Sequence, residues 1–151
     1  MKNKPKMIKT ILYQNPKHGF AILFPRWWKQ YAVVDRQTYG NGNHQETFLS
    51  FHFRYKGKIY DPIVTIVISP LTGKAWRRYY GGSPVSFLAQ HKGVTYGFLL
   101  AGELPSEFLR PDKMEYDYAK YGRPIRILKK LVSEVPAVVK SLHFIQRSKI
   151  L

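Results

Sequence analysis

The segment Ile63-Val64-Thr65-Ile66-Val67-Ile68 constrains the fold of this chain more than any other stretch. Its residues are β-branched. Such side chains lose rotamer freedom in a helix and pack well on a pleated surface, so the run reads as a central strand, ended by Pro70. The preceding segment, Thr47–Tyr55, alternates. Phe48, Ser50, His52 and Arg54 fall on one side, and Leu49, Phe51, Phe53 and Tyr55 on the other, which is the expected buried face. Lys56-Gly57-Lys58 breaks the pattern between the two strands.

More strands are expected around this pair. Ile8–Tyr13 is a weak candidate ended by Asn15-Pro16, and Gly19–Pro25 is a short apolar run closed by proline. Arg26–Gln30 reads as a single turn. Tyr31–Arg36 reads as a strand leading into a loop at Tyr39-Gly40-Asn41-Gly42-Asn43. Ser83–Gln90 and Val94–Leu100 suit a hairpin around His91-Lys92-Gly93.

The remainder reads as helical. Pro111–Tyr121 is expected to form a short helix stopped by Gly122. The strongest helix is Pro124–Leu142, with Leu128, Leu131, Val132, Val135, Val138, Val139 and Leu142 on one apolar face. Pro136 interrupts that face, so a kink or break is expected there. His143–Gln146 reads as a last edge strand. Strands followed by helices imply an α+β fold: an antiparallel sheet of about six or seven strands with helices packed on it. The expected organisation is a flexible basic arm at residues 1–7 and one α+β domain at 8–151. With 151 residues, 44% of them hydrophobic, the chain can build a core without a disulfide or metal staple.

There are no cysteines, which excludes disulfide frameworks, thiolate metal sites and cysteine nucleophiles. Twenty-five Lys and Arg oppose nine Asp and Glu, a net charge of +16. Such a field attracts polyanions: nucleic acid, anionic lipid or acidic cell-wall polymer. The basic start Met1-Lys2-Asn3-Lys4-Pro5-Lys6 is not followed by the apolar run of a signal peptide, and no transmembrane segment is apparent. The chain therefore reads as soluble, without an export signal.

Searches for catalytic chemistry are negative. His18, His44, His52, His91 and His143 show no metal-pair spacing, and His52 is expected to face solvent. No Gly-x-Ser-x-Gly occurs, and Gly81-Gly82-Ser83-Pro84 lacks the Lys of a phosphate-binding loop. Glu103, Glu107, Asp112, Glu115 and Asp117 read as an acidic loop and helix start rather than an acid/base pair. No cofactor is implied. The candidate contact surface is aromatic and basic. One part is Trp76-Arg77-Arg78-Tyr79-Tyr80, where arginines and rings could grip phosphates, bases or sugars, or where Trp76 could instead plug the core. The other is Arg26, Trp27 and Trp28. Adjacent strand residues cannot both point inward, so one of these tryptophans is expected to be substantially exposed.

The stretch from Asn15 to Val33 contains Gly19-Phe20 opening a strand, Pro25 ending it, Trp27-Trp28, and Tyr31-Ala32-Val33 beginning the next strand. It resembles the opening of small secreted proteins and lipoproteins of Gram-positive bacteria, and of domains with the PsbP/Mog1-like fold. That resemblance implies an α/β/α sandwich around an antiparallel sheet and an extracytoplasmic or envelope-associated address; the lipoprotein cysteine is absent. It carries no catalytic residue to any position here. Together, resemblance and charge suggest a non-enzymatic binding or accessory domain acting at an anionic surface such as the bacterial envelope. The alternatives are a nucleic-acid-binding protein and an enzyme whose site assembles only in three dimensions.

Overall fold

The computed structural model describes residues 10–146. The basic arm at 1–7 and the C-terminal Arg147 and Lys149 lie outside the described residues. The described residues form an α+β fold with eight strands in two antiparallel sheets rather than one sheet. The three-stranded sheet has the order β1 (Thr10–Asn15), β2 (Phe20–Pro25), β8 (His143–Phe144). The five-stranded sheet has the order β3 (Ala32–Asn41), β4 (His44–Tyr55), β5 (Lys58–Ser69), β7 (Val94–Leu100), β6 (Ser86–His91). The sheets part after Pro25, where the 3₁₀ helix Arg26–Gln30 redirects the chain before β3 begins.

β5 is central, as its β-branched run implies, and lies between β4 and β7. Its two faces have different partners. Val64, Ile66 and Ile68 join the main core with Leu49, Phe51 and Phe53 of β4 and Phe20, Ile22 and Phe24 of β2. Val67 faces the other way, toward helix α1 (Gly73–Tyr80). Phe51 links the sheets, with its ring 4.9 Å from Phe24 and 5.4 Å from Tyr13. The long helix α2 (Tyr118–Lys140) closes this core with Ile125, Leu128, Leu131, Val135, Val138 and Val139. Each such side chain contributes about 1.5–3 kcal/mol of burial.

Several expectations are corrected. Tyr39, Gly40 and Asn41 continue β3 and pair with Glu46, Gln45 and His44, leaving only Gly42-Asn43 as the turn. Trp76–Tyr80 lies in helix α1. Residues 111–117 form turns rather than a helix, with a bridge between Leu109 and Tyr116. Asp117 instead caps α2, its carboxylate accepting from the Lys120 N–H at 3.0 Å. Gly122 does not stop the helix; the kink falls at Tyr121 (φ −117°, ψ 20°) and the helix resumes. Helical backbone also runs through Pro136, which is exposed, so the carbonyl its ring leaves unpaired is on the solvent side. His52 is half-buried, with Nδ1 2.8 Å from the Tyr60 carbonyl oxygen.

Two hairpins turn on a lysine-glycine pair with positive φ at both residues: Lys56-Gly57 (48° and 79°) and Lys92-Gly93 (49° and 76°). This is the type I′ geometry that matches strand twist. The pairing of β5 with β7 runs from Val64↔Leu100 to Ser69↔Thr95, so the two lysine tips lie at opposite ends of the sheet.

Candidate functional site: a basic, aromatic cleft

At the Lys56-Gly57 end, the β4–β5 hairpin and the start of α2 enclose an open cleft of about 470 Å³. Its walls carry Lys56, Lys58, Lys120 and Arg123 together with Tyr55, Tyr60 and Tyr121. The rings are positioned from below. Phe108, fully buried on the short 3₁₀ helix Ser106–Phe108, lies 5.0 Å from the Tyr60 ring and 5.2 Å from the Tyr121 ring. Phe53 supports Tyr60 at 5.6 Å and Tyr55 at 6.2 Å. The kink at Tyr121 lets that ring reach Phe108 while Lys120 and Arg123 stay exposed.

Each tyrosine carries a lysine. Lys56 Nζ is 5.6 Å from the Tyr55 centroid, Lys58 Nζ 5.0 Å from Tyr60, and Lys120 Nζ 5.2 Å from Tyr121. At these distances the ring quadrupole attracts the ammonium group. Burial raises the Tyr60 pKa, and the negative charge of Glu107 raises it further, so the phenol stays neutral. Among the described residues, Glu107 is the one carboxylate paired to a wall cation, 3.9 Å from Lys58 in an exposed contact that contributes little. The arrangement supplies cations on an aromatic floor. It can hold phosphate, sulfate or carboxylate groups, and it presents no nucleophile–base pair. Among the described residues, no group of three His, Asp or Glu could hold a metal ion.

The candidate residues read from sequence are not brought to one place. Trp27 and Trp28 lie on the 3₁₀ helix Arg26–Gln30 beside α2; Trp76, Arg77 and Arg78 lie on α1, across the five-stranded sheet. Trp28 is buried in the main core, 5.3 Å from Phe24. Trp27 is half-buried against Tyr31 at 5.8 Å. Neither is substantially exposed, because the helical turn removes the strand alternation on which that expectation rests. Both indole N–H groups donate to one oxygen, Glu134 Oε1, at 2.7 Å from Trp27 and 3.2 Å from Trp28. Lys130 Nζ lies 4.8 Å from the Trp27 ring. Arg26 is exposed beside them.

On the far face Trp76 is buried, while Arg77 and Arg78 are exposed. Trp76 packs close over Gly97, where a Cβ would stand 3.3 Å from the ring. Next to it, Glu46 is buried with Ser69 and Tyr80. Ser69 Oγ donates to Glu46 Oε1 at 2.7 Å, and His44 Nε2 is 3.4 Å from the same oxygen. In a hydrolase triad the histidine sits between hydroxyl and carboxylate; here the carboxylate is in the middle, so the order of a triad is not met. Burial raises the Tyr80 pKa, and the negative charge of Glu46 raises it further.

The aromatic-basic signal of the cleft is present in the sequence as Tyr55-Lys56-Gly57-Lys58-Ile59-Tyr60, a hairpin tip with a ring and a lysine on each side. Its third ring and two further cations come from α2, which no local pattern connects to the hairpin. No helix among the described residues is long and apolar enough to cross a membrane. Compared with known proteins, the chain matches no family model, no curated protein and no solved structure.

Proposed function

We propose that this chain is a non-enzymatic binding domain that holds anionic polymers or an anionic surface through the Lys56–Arg123 cleft. The observation that carries the proposal is the cleft itself: exposed cations over a rigid tyrosine floor, on a chain of net charge +16. Counterions released from a polyanion supply most of the affinity of such a site, and the rings hold the cations in place. An address at the bacterial envelope belongs to the same reading, through the resemblance to small secreted and lipoprotein domains with a PsbP/Mog1-like fold. Helices on both faces of an antiparallel sheet support that resemblance.

The test is charge reversal at Lys120 and Arg123. Both are exposed in the first turns of α2, where acidic residues suit the helix dipole, so the fold should tolerate the change. Lys120→Glu/Arg123→Glu should weaken binding to polyphosphate by at least about tenfold and reduce the salt dependence. Lys74→Glu/Lys92→Glu, exposed at the opposite end of the sheet, should leave binding within about twofold after the same change in net charge. Equal losses in both variants would show that overall charge, not the cleft, is responsible.

A further inference from the structure

The cleft is bounded by Arg123 and Pro124, but the basic surface continues past it. Beyond it α2 continues with Arg126 and Lys130, both exposed, and helical spacing puts Arg123, Arg126 and Lys130 on one stripe about 10 Å long. The stripe ends where Lys130 lies 4.8 Å from the Trp27 ring. A second connection reaches the same place along β4. Arg54, adjacent to Tyr55 of the cleft, donates from Nη2 to the Lys29 carbonyl at 3.2 Å, and its backbone N–H donates to Tyr31 at 2.8 Å. The 3₁₀ helix Arg26–Gln30, the end of β4 and the first half of α2 therefore border one surface. Rings lie at both ends of it, Tyr55, Tyr60 and Tyr121 in the cleft and Trp27 with Tyr31 at the other. Cations lie between. The nearest carboxylate at the far end, Glu134, is occupied by the two indole N–H groups.

We infer that this surface is a track for single-stranded nucleic acid, an inference that rests on the cleft being a polyanion site. A phosphate-only polymer has no use for aromatic groups at both ends of a basic stripe. A single strand does, because its bases stack on rings while its phosphates follow the cations. A flat membrane would meet the exposed stripe but not enter the cleft. A duplex presents its bases already stacked and unavailable to the rings.

Binding is measured by fluorescence anisotropy on the whole chain with a labelled oligothymidine of about 16 nucleotides. The competitors are polyphosphate of matched charge, a duplex of the same length and phosphatidylglycerol vesicles. The oligonucleotide should bind at least about tenfold more tightly than polyphosphate, since two stacked bases, one at each end, supply more than that. Contact with about five phosphates would weaken binding about 100-fold between 50 and 200 mM salt. Arg126→Glu/Lys130→Glu should cost at least about tenfold and reduce the logarithmic salt slope by about 1.4 or more, with an unchanged thermal melt. Polyphosphate or duplex binding as tightly as the single strand overturns the inference and leaves the cleft reading standing. So does vesicle binding without oligonucleotide binding. Loss of affinity in Lys120→Glu/Arg123→Glu but not in Arg126→Glu/Lys130→Glu confines the site to the cleft and overturns the track. No binding to any of these polyanions removes both.

Discussion

Glu134 is the acceptor for two indoles, and its removal has a calculable effect. In Glu134→Ala the Trp28 N–H, on a residue 1% exposed, loses its partner. An orphaned buried donor costs about 1–3 kcal/mol. The Trp27 bond is shorter, 2.7 Å, but that ring is half-buried, so solvent recovers part of the loss and about 0.5–1 kcal/mol remains. The alanine gains a few tenths of a kcal/mol in helix propensity, too little to alter the balance. The expected destabilisation is about 1–3.5 kcal/mol. Urea unfolding followed by tryptophan fluorescence reads this directly. With an m value of about 2 kcal/mol/M, the midpoint should fall by about 0.5 M or more, and Tm by about 3–10 °C. Glu134→Gln keeps a carbonyl oxygen and loses only the charge, so it should cost under about 1 kcal/mol. A Glu134→Ala midpoint within about 0.2 M of the parent, or identical values for the two variants, would refute the reasoning.

Two further changes test other parts of the structure. Gly97→Ala would put a methyl group 2.8 Å from the Ser86 carbonyl oxygen and 3.3 Å from the Trp76 ring, so overpacking should destabilise by about 1–3 kcal/mol; a neutral result in urea unfolding would mean that α1 is not seated on the sheet as described. His18 has its pKa lowered from 6.5 by burial, and then by Lys17 and Arg36. Its neutral form is favoured in the folded state, so the contribution is present above pH 6.5 and lost as pH falls through the folded value. Stability measured from about pH 8 down to pH 5 should decline less steeply in His18→Gln, and an unchanged slope would remove His18 as a source.

Much of the architecture is legible in the chain because local and tertiary preferences agree. The β-branched run at Ile63–Ile68 is a central strand, the alternation in β4 buries Leu49, Phe51 and Phe53, and the apolar stripe of α2 faces the core. What escapes is decided by contacts distant in sequence. Helix α1 has only two buried side chains, Trp76 and Tyr80, in a segment whose arginines and rings look like a surface, and its reason for folding is the space above Gly97. Division into two sheets depends on where the chain goes after Pro25, which no local pattern determines. The cleft escapes for the same reason: Tyr60 and Tyr121, far apart in sequence, are brought together over Phe108. Trp27 and Trp28 were legible as unusual, but not as a pair sharing one carboxylate from a distant helix.

Among the described residues, the positive-φ positions not occupied by glycine are all lysines: Lys56, Lys92 and Lys113. A left-handed lysine is about 1 kcal/mol less favourable than glycine at the same position, and asparagine would also be better suited. Local conformational preference therefore opposes the residues found at both hairpin tips. At Lys56 the disfavoured choice places an ammonium group at the mouth of the cleft, so backbone stability and surface charge are in direct competition there. The fold can carry such a loss because its core is large. A smaller domain with the same tip would have less stability to give up for a cation in that position.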